Sequence, residues 1–312
     1  MTKTIPSTLG PECYRGNVNT WECDEMGHMN VRFYVVKGEE AAQVFLSHLG
    51  AAPVTLADQG LRAQTVDYHV RFLAEMHPGA GVYAHVAALE VTPEALRLFV
   101  DLRHAIGGHV AATLNLIVRL KDDAGDFVPW PEELLARAQE HIIAELPAYG
   151  QPRSLHLEPS SAVASRARTE EMGLHQISLG LVKSDQCDSF GEMRGEWFMG
   201  RVSDGIGNLI RTFNPNRGTK GSNVGGAALE YRIIIHKRPR EGDIVAVRSG
   251  LAGIAAKTFR MGHWMIDMVT GEAFATMEAS AASLDLTARK IIPIDEERRT
   301  EMEQHIVEGL VV

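Results

Sequence analysis

The chain of 312 residues is long for one small domain, and half of it, about 156 residues, is the ordinary size of an independently cored unit. With 45% apolar and 23% charged residues interspersed along its length, the composition is that of a soluble globular protein. A net charge of -9 and a pI near 5.8 argue against a nucleic-acid or anionic-membrane surface as the main partner, and no stretch approaches the ~20 apolar residues of a membrane span.

Cys13, Cys23 and Cys187 form neither an even disulfide framework nor a CxxC pair, so neither a disulfide scaffold nor structural zinc is expected. The first ten residues lack the apolar core of a signal peptide, and a reducing cytoplasm fits best. After an opening strand, apolar residues at Val31, Tyr34, Val35, Ala41, Ala42, Phe45 and Leu49 follow helical spacing, with Gly50 as the stop. Alternating or continuous apolar runs then read as strands at Val66 to Phe72, Val82 to Val91, Leu96 to Leu102 and Val110 to Leu120, divided by Pro78-Gly79, Thr92-Pro93 and Gly107-Gly108. A helical stretch from Glu132 to Leu146 ends at the Pro147 to Pro152 linker.

The same order returns in the second half. Cys23-Asp24-x-x-Gly27-x-Met29 recurs as Cys187-Asp188-x-x-Gly191-x-Met193, an offset of 164 residues, and Phe33-Tyr34 recurs as Trp197-Phe198. Tyr68 and Tyr231, Gly79 and Gly242, Gly108 and Gly271, Thr113 and Thr276, and Asp122 and Asp285 all match at an offset of 163, so one deletion accounts for the whole register. A helix is expected from Trp197 to Phe213, ended by Asn214-Pro215. Strands are expected at Leu229 to Ile235, Ile244 to Leu251, Thr258 to Met268 and Ala273 to Leu284. Because no helix separates the strands, each half is expected to be α+β, one long helix on an antiparallel meander, with domains at 1-150 and 151-312. Gly38 and Gly205 inside the helices imply close packing on the sheet, since glycine otherwise costs a helix about 1 kcal/mol.

The run Trp21-Glu22-Cys23-Asp24-Glu25-Met26-Gly27-His28-Met29-Asn30-Val31-Arg32-Phe33-Tyr34 resembles the active-site segment of hotdog-fold thioesterases. In particular it resembles the 4-hydroxybenzoyl-CoA thioesterase-like acyl-CoA thioesterases and the related acyl-ACP thioesterases. The resemblance extends over nearly the whole chain and implies a tandem double hotdog, the two sheets joined as single hotdogs join when they pair. It implies a thioester hydrolase acting on an acyl-CoA or an acyl carrier protein thioester, needing no cofactor beyond the coenzyme A of its substrate. A homo-oligomer of the fused pair is compatible with it.

Thioester hydrolysis needs an activated water or a carboxylate nucleophile, together with donors for the oxyanion. Asp24 lies just before a helix whose free N–H groups and positive end suit the oxyanion. In the family it resembles, this aspartate is general base or nucleophile. His28 would orient substrate, and Asn30 would cap the helix or join the site. In the second copy Asp188 and Gly191 persist, but Glu192 replaces His28 and Arg194 replaces Asn30, so this site is either a decayed copy or a distinct one built on Asp188 and Glu192. Glu40 and Asp204 read as exposed helix charges before they read as catalytic groups. The basic residues Arg217, Lys220, Lys237 and Arg238 could hold the phosphates of coenzyme A or simply rim a loop and hairpin. Two rivals stand beside hydrolysis. A hotdog enoyl-CoA hydratase would place four residues between Asp and His where this chain has three, and a non-catalytic acyl-binding protein would need neither aspartate.

Overall fold

The computed structural model describes residues 9–213 and 224–311, and divides into two compact units, Met1–Pro152 and Arg153–Val312. The first contains β1 (Glu12–Asn17), α1 (Val31–His48), α2 (Pro53–Ala57), β2 (Leu61–Phe72), β3 (Gly81–Val91), β4 (Leu96–His104), β5 (Val110–Asp122), the two-residue β6 (Phe127–Val128) and α3 (Glu132–Gln139). The second contains α4 (Arg166–Glu171), β7 (His175–Leu181), α5 (Glu196–Phe213), β8 (Val224–Ile235), β9 (Ile244–Ile254), β10 (Phe259–Asp267), β11 (Ala273–Asp285), β12 (Lys290–Ile291) and α6 (Glu296–Glu303).

Each unit wraps one long helix with an antiparallel sheet. The strand order is β1-β3-β4-β5-β2 in the first unit and β7-β9-β10-β11-β8 in the second. This corrects the expected meander. β2 pairs with β5, from Leu61 opposite Asp122 to Phe72 opposite Ala112, so only β3, β4 and β5 are successive neighbours. The connection from Leu73 to Ala80 carries the chain from β2 to β3 on the far side of β4 and β5, and this connection proves to matter for the site.

α1 begins and ends as its sequence suggests. Asn30 caps it by accepting the Arg32 N–H at 3.0 Å, and Gly50 follows its end at φ +87, a conformation few side chains tolerate. Its buried face, with Tyr34, Val35, Ala41, Ala42, Phe45 and Leu46, rests on the sheet. The helix-interior glycines are sites of close approach. A Cβ on Gly38 would lie 2.6 Å from a Leu114 methyl of β5, and one on Gly205 would lie 2.5 Å from the Ile177 carbonyl oxygen of β7.

Two expectations at element ends need revision. α3 stops at Gln139 instead of running to Leu146, because the Ile143 N–H donates to the Ala88 carbonyl and the Ala88 N–H to the His141 carbonyl, drawing the chain onto β3. The proposed stop Asn214-Pro215 lies outside the described residues, as do Arg217 and Lys220.

Candidate functional site

The Asp24 loop is a tight, internally bonded turn. The Asp24 N–H donates to the His28 carbonyl at 3.0 Å, the Gly27 N–H returns to the Asp24 carbonyl at 3.0 Å, and Asp24 Oδ1 accepts the Met26 N–H at 2.9 Å. Gly27 makes this possible at φ +77, where a side chain would be strained. Two further bonds dock the loop: Met29 N–H to the Met76 carbonyl at 2.7 Å, and Asn30 N–H to the Glu22 carbonyl at 2.9 Å.

Asp24 is half-buried, and desolvation holds its carboxyl above the usual aspartate range despite the opposing pull of His28 and of the Met26 and His28 amides. His28 Nδ1 lies 3.5 Å from Asp24 Oδ2, and on its other side Nε2 lies 3.9 Å from Glu75 Oε1. An imidazole therefore stands between two carboxylates. Glu75 belongs to the connection between β2 and β3, which also supplies the Met76 carbonyl to Met29, the Ala74 carbonyl to the Tyr34 hydroxyl at 3.3 Å, and His77 Nδ1 at 3.1 Å from the Gly27 carbonyl.

Of the residues singled out from sequence, Asp24 and His28 are thus brought together, and Asn30 is placed as the α1 cap. Glu40 and Asp204 are exposed on their helices. Glu75 and His77 escaped sequence reading because they lie about fifty positions downstream in a stretch without periodicity. One signal was present: at the 163 offset, Glu75 and His77 become Arg238 and Arg240 just as His28 becomes Glu192. Glu75 and His28 have exchanged acid for base and base for acid, while His77 gives way to another basic residue.

The second loop keeps the turn and alters its chemistry. Gly191 sits at φ +73, and Asp188 Oδ1 accepts the Phe190 N–H at 2.9 Å and the Glu192 N–H at 3.0 Å. Glu192 is buried, with Arg240 Nη2 at 3.9 Å. Arg194 donates to the Cys187 and Asp185 carbonyls and to Glu196, pinning the start of α5 with side-chain bonds where Asn30 pins α1 by capping. Arg238 is buried and donates Nη1 to the Met193 carbonyl at 2.9 Å, which makes it a support of this loop, whereas Lys237 is exposed.

The loop cysteines are structural in both units. Cys23 Sγ points at the Asn19 carbonyl and Cys187 Sγ at the Lys183 carbonyl, and burial raises both thiols above their usual range, against a role as thiolate nucleophiles. Among the described residues, no cluster of three metal-ligating side chains occurs, and no helix is long and apolar enough to cross a membrane.

Residues 18–138, which span the Asp24 loop and most of the first unit, match the family model of the thioesterase-like superfamily. A curated relative, L-carnitine dehydrogenase/betainyl-CoA thioesterase of Agrobacterium fabrum, is 29% identical over 132 residues, which are 42% of this chain and 27% of that protein. The chain thus spans about a quarter of the length of that relative. Among solved structures, a candidate oleoyl thioesterase from Lactobacillus plantarum superposes with a TM-score of 0.66 at 14% identity, covering 87% of this chain and 95% of that one. The 12:0-ACP thioesterase of Umbellularia californica superposes with a TM-score of 0.63 at 10% identity, covering 86% and 93%. At such identities the likeness establishes the fold alone, which is the hotdog, present twice, and the superfamily match falls within the first unit.

Proposed function

We propose that this tandem hotdog chain, thioesterase-like through its first unit, hydrolyses an acyl thioester at the Asp24 loop. The observation that carries the reading is the row Asp24, His28, Glu75, in which a half-buried carboxylate of raised basicity faces an imidazole backed by a second carboxylate. A carboxylate whose pKa is lifted toward the working pH is a more effective general base than an exposed one. With Oδ1 held by the Met26 amide, Asp24 has Oδ2 to take a proton from the attacking water, while His28 fixes the carboxylate and delivers a proton to the departing thiolate. The Asn30 cap occupies the Arg32 and Phe33 amides, which leaves Val31 N–H and the positive end of α1 to face the carbonyl oxygen.

The substrate class is an acyl-CoA or acyl carrier protein thioester, and the chemistry asks for no cofactor. Exposed Lys237 stays a candidate for a coenzyme A phosphate, but Arg238 is committed to the Met193 carbonyl. The second loop, where Glu192 stands in place of the imidazole of the first, is read as the copy that lost hydrolysis.

A panel of acyl-CoAs assayed for free thiol tests this directly. Release by the wild type and its loss in Asp24→Asn is the expected result, and a single turnover in 18O water should leave Asp24 unlabelled. Label entering Asp24 would replace the base with a nucleophile. Water addition to an enoyl-CoA without thiol release would replace hydrolysis with hydration.

A further inference from the structure

The row Asp24, His28, Glu75 continues one residue further inside the first unit. The Glu75 carbonyl accepts a hydrogen bond from Nε2 of His104, the last residue of β4, at 3.1 Å. A carbonyl oxygen can only accept, so Nε2 carries the ring hydrogen. Across the β4–β5 hairpin His109 stacks on this ring, with centroids 3.9 Å apart and planes 24° apart, and the His104 N–H donates to the His109 carbonyl at 3.0 Å. Burial first, and then the neighbouring His109 and His77, hold the His104 pKa below its usual 6.5, which leaves the ring neutral at neutral pH.

The second unit builds the same hairpin for a different purpose. At the 163 offset His104 becomes Asp267 and His109 becomes Glu272, and the backbone bond between the two is kept, from the Asp267 N–H to the Glu272 carbonyl at 2.9 Å. Asp267 turns its carboxylate back onto its own hairpin, where Oδ1 accepts the Val269 N–H at 2.8 Å and the Thr270 N–H at 3.3 Å. The aspartate loop of that unit is tied down from the connection itself, by Arg238 Nη1 on the Met193 carbonyl and by the Met193 N–H on the Pro239 carbonyl at 2.7 Å. The hairpin histidine therefore goes together with His28 and Glu75. Where those two are replaced, the hairpin residue serves its own turn, so the fold does not depend on an imidazole at this position.

We propose that His104 is a positioning residue for the hydrolysis: stacked on His109 and bonded to the Glu75 carbonyl, it keeps the Glu75 carboxylate beside His28 and so keeps His28 aligned with Asp24. It acts through Glu75 and not on the substrate. The inference rests on the acyl-thioester reading and extends its row of side chains to Asp24, His28, Glu75 and His104.

The test uses the full chain with His104→Phe, which keeps a flat ring against His109 but has no donor, and His104→Gln, whose amide nitrogen falls where Nε2 stands. His104→Phe should lower kcat for thiol release by about three- to tenfold, the worth of one hydrogen bond, with KM little changed, and His104→Gln should restore most of the rate. In a Glu75→Gln background His104→Phe should cost less than about twofold, because a residue that acts through Glu75 loses its effect once that carboxylate is gone. Hydrogen exchange supplies a readout free of turnover: the segment 73–80, and the Met29 amide held on the Met76 carbonyl, should exchange faster in His104→Phe. A wild-type kcat in folded His104→Phe, no rescue by His104→Gln, or the same loss in both backgrounds would overturn the proposal. A wild type that releases no thiol from any acyl-CoA would remove the hydrolytic reading instead; exchange then decides the His104 contact by itself, and unchanged exchange at 73–80 would overturn it.

Discussion

Lys37 Nζ lies 2.8 Å from Glu22 Oε1 inside the first unit, and at the matching positions of the second Arg201 Nη2 lies 2.7 Å from Gln186 Oε1. Glu22 and Gln186 each also accept a loop N–H, from Asn19 and Lys183, and so tie the long helix to the turn that precedes the aspartate. The duplication has kept the geometry while replacing an ion pair with a charge-neutral acceptor. Truncating Lys37 to Met leaves Glu22 buried and unpaired, so denaturant unfolding should show a loss of about 3–5 kcal/mol. Glu22→Gln together with Lys37→Arg, the second unit's solution, should restore most of it.

The helix glycines should respond unequally to alanine. At Gly205 the new Cβ meets the Ile177 carbonyl oxygen, a backbone atom that cannot step aside, while at Gly38 it meets the ends of a Leu114 side chain. Gly205→Ala should therefore destabilise by about 1–3 kcal/mol, outweighing the helix-propensity gain, and Gly38→Ala should be milder. Thermal melts of the two variants would show the difference.

A base that must be ionised gives a rate that falls as pH falls through its pKa. Because burial lifts Asp24 above its ordinary 3.8, the acidic limb of kcat/KM should lie above that value. His28 is the largest influence pulling this pKa down, so His28→Gln should move the limb to higher pH while lowering the rate. A limb that stays in place in His28→Gln would separate the imidazole from Asp24.

The same shift has a consequence for stability. A carboxyl whose folded pKa is raised contributes stability that is fully present below 3.8 and is lost as pH rises through the folded value. At neutral pH, then, Asp24 is ionised at a cost to the fold. Asp24→Asn, whose amide oxygen can still accept the Met26 N–H, should melt at or above the wild-type temperature at pH 7 and lose that advantage below pH 4. A variant that melts well below the wild type at pH 7 would show that the charge is stabilising.

The features that depend on neighbours along the chain were legible in the sequence. The turn at Asp24 and Gly27, the Asn30 cap and the Gly50 stop are local chemistry, and the repeat exposed the second copy without any structure. What depended on the chain's return was hidden. β2 was placed beside β3 because the spacing gives no clue that residues 73–80 cross the sheet, and Glu75 stayed invisible for the same reason. His104 reads in sequence as an ordinary residue at a strand end, and only the return of the chain brings the Glu75 carbonyl to it.

The two aspartates differ in role, and single-turnover thiol release by Asp24→Asn and Asp188→Asn on the best acyl-CoA separates them. The rate should fall about 10²–10⁴-fold in Asp24→Asn and stay within a few-fold of wild type in Asp188→Asn. Equal losses from both, or wild-type release from Asp24→Asn, would contradict it.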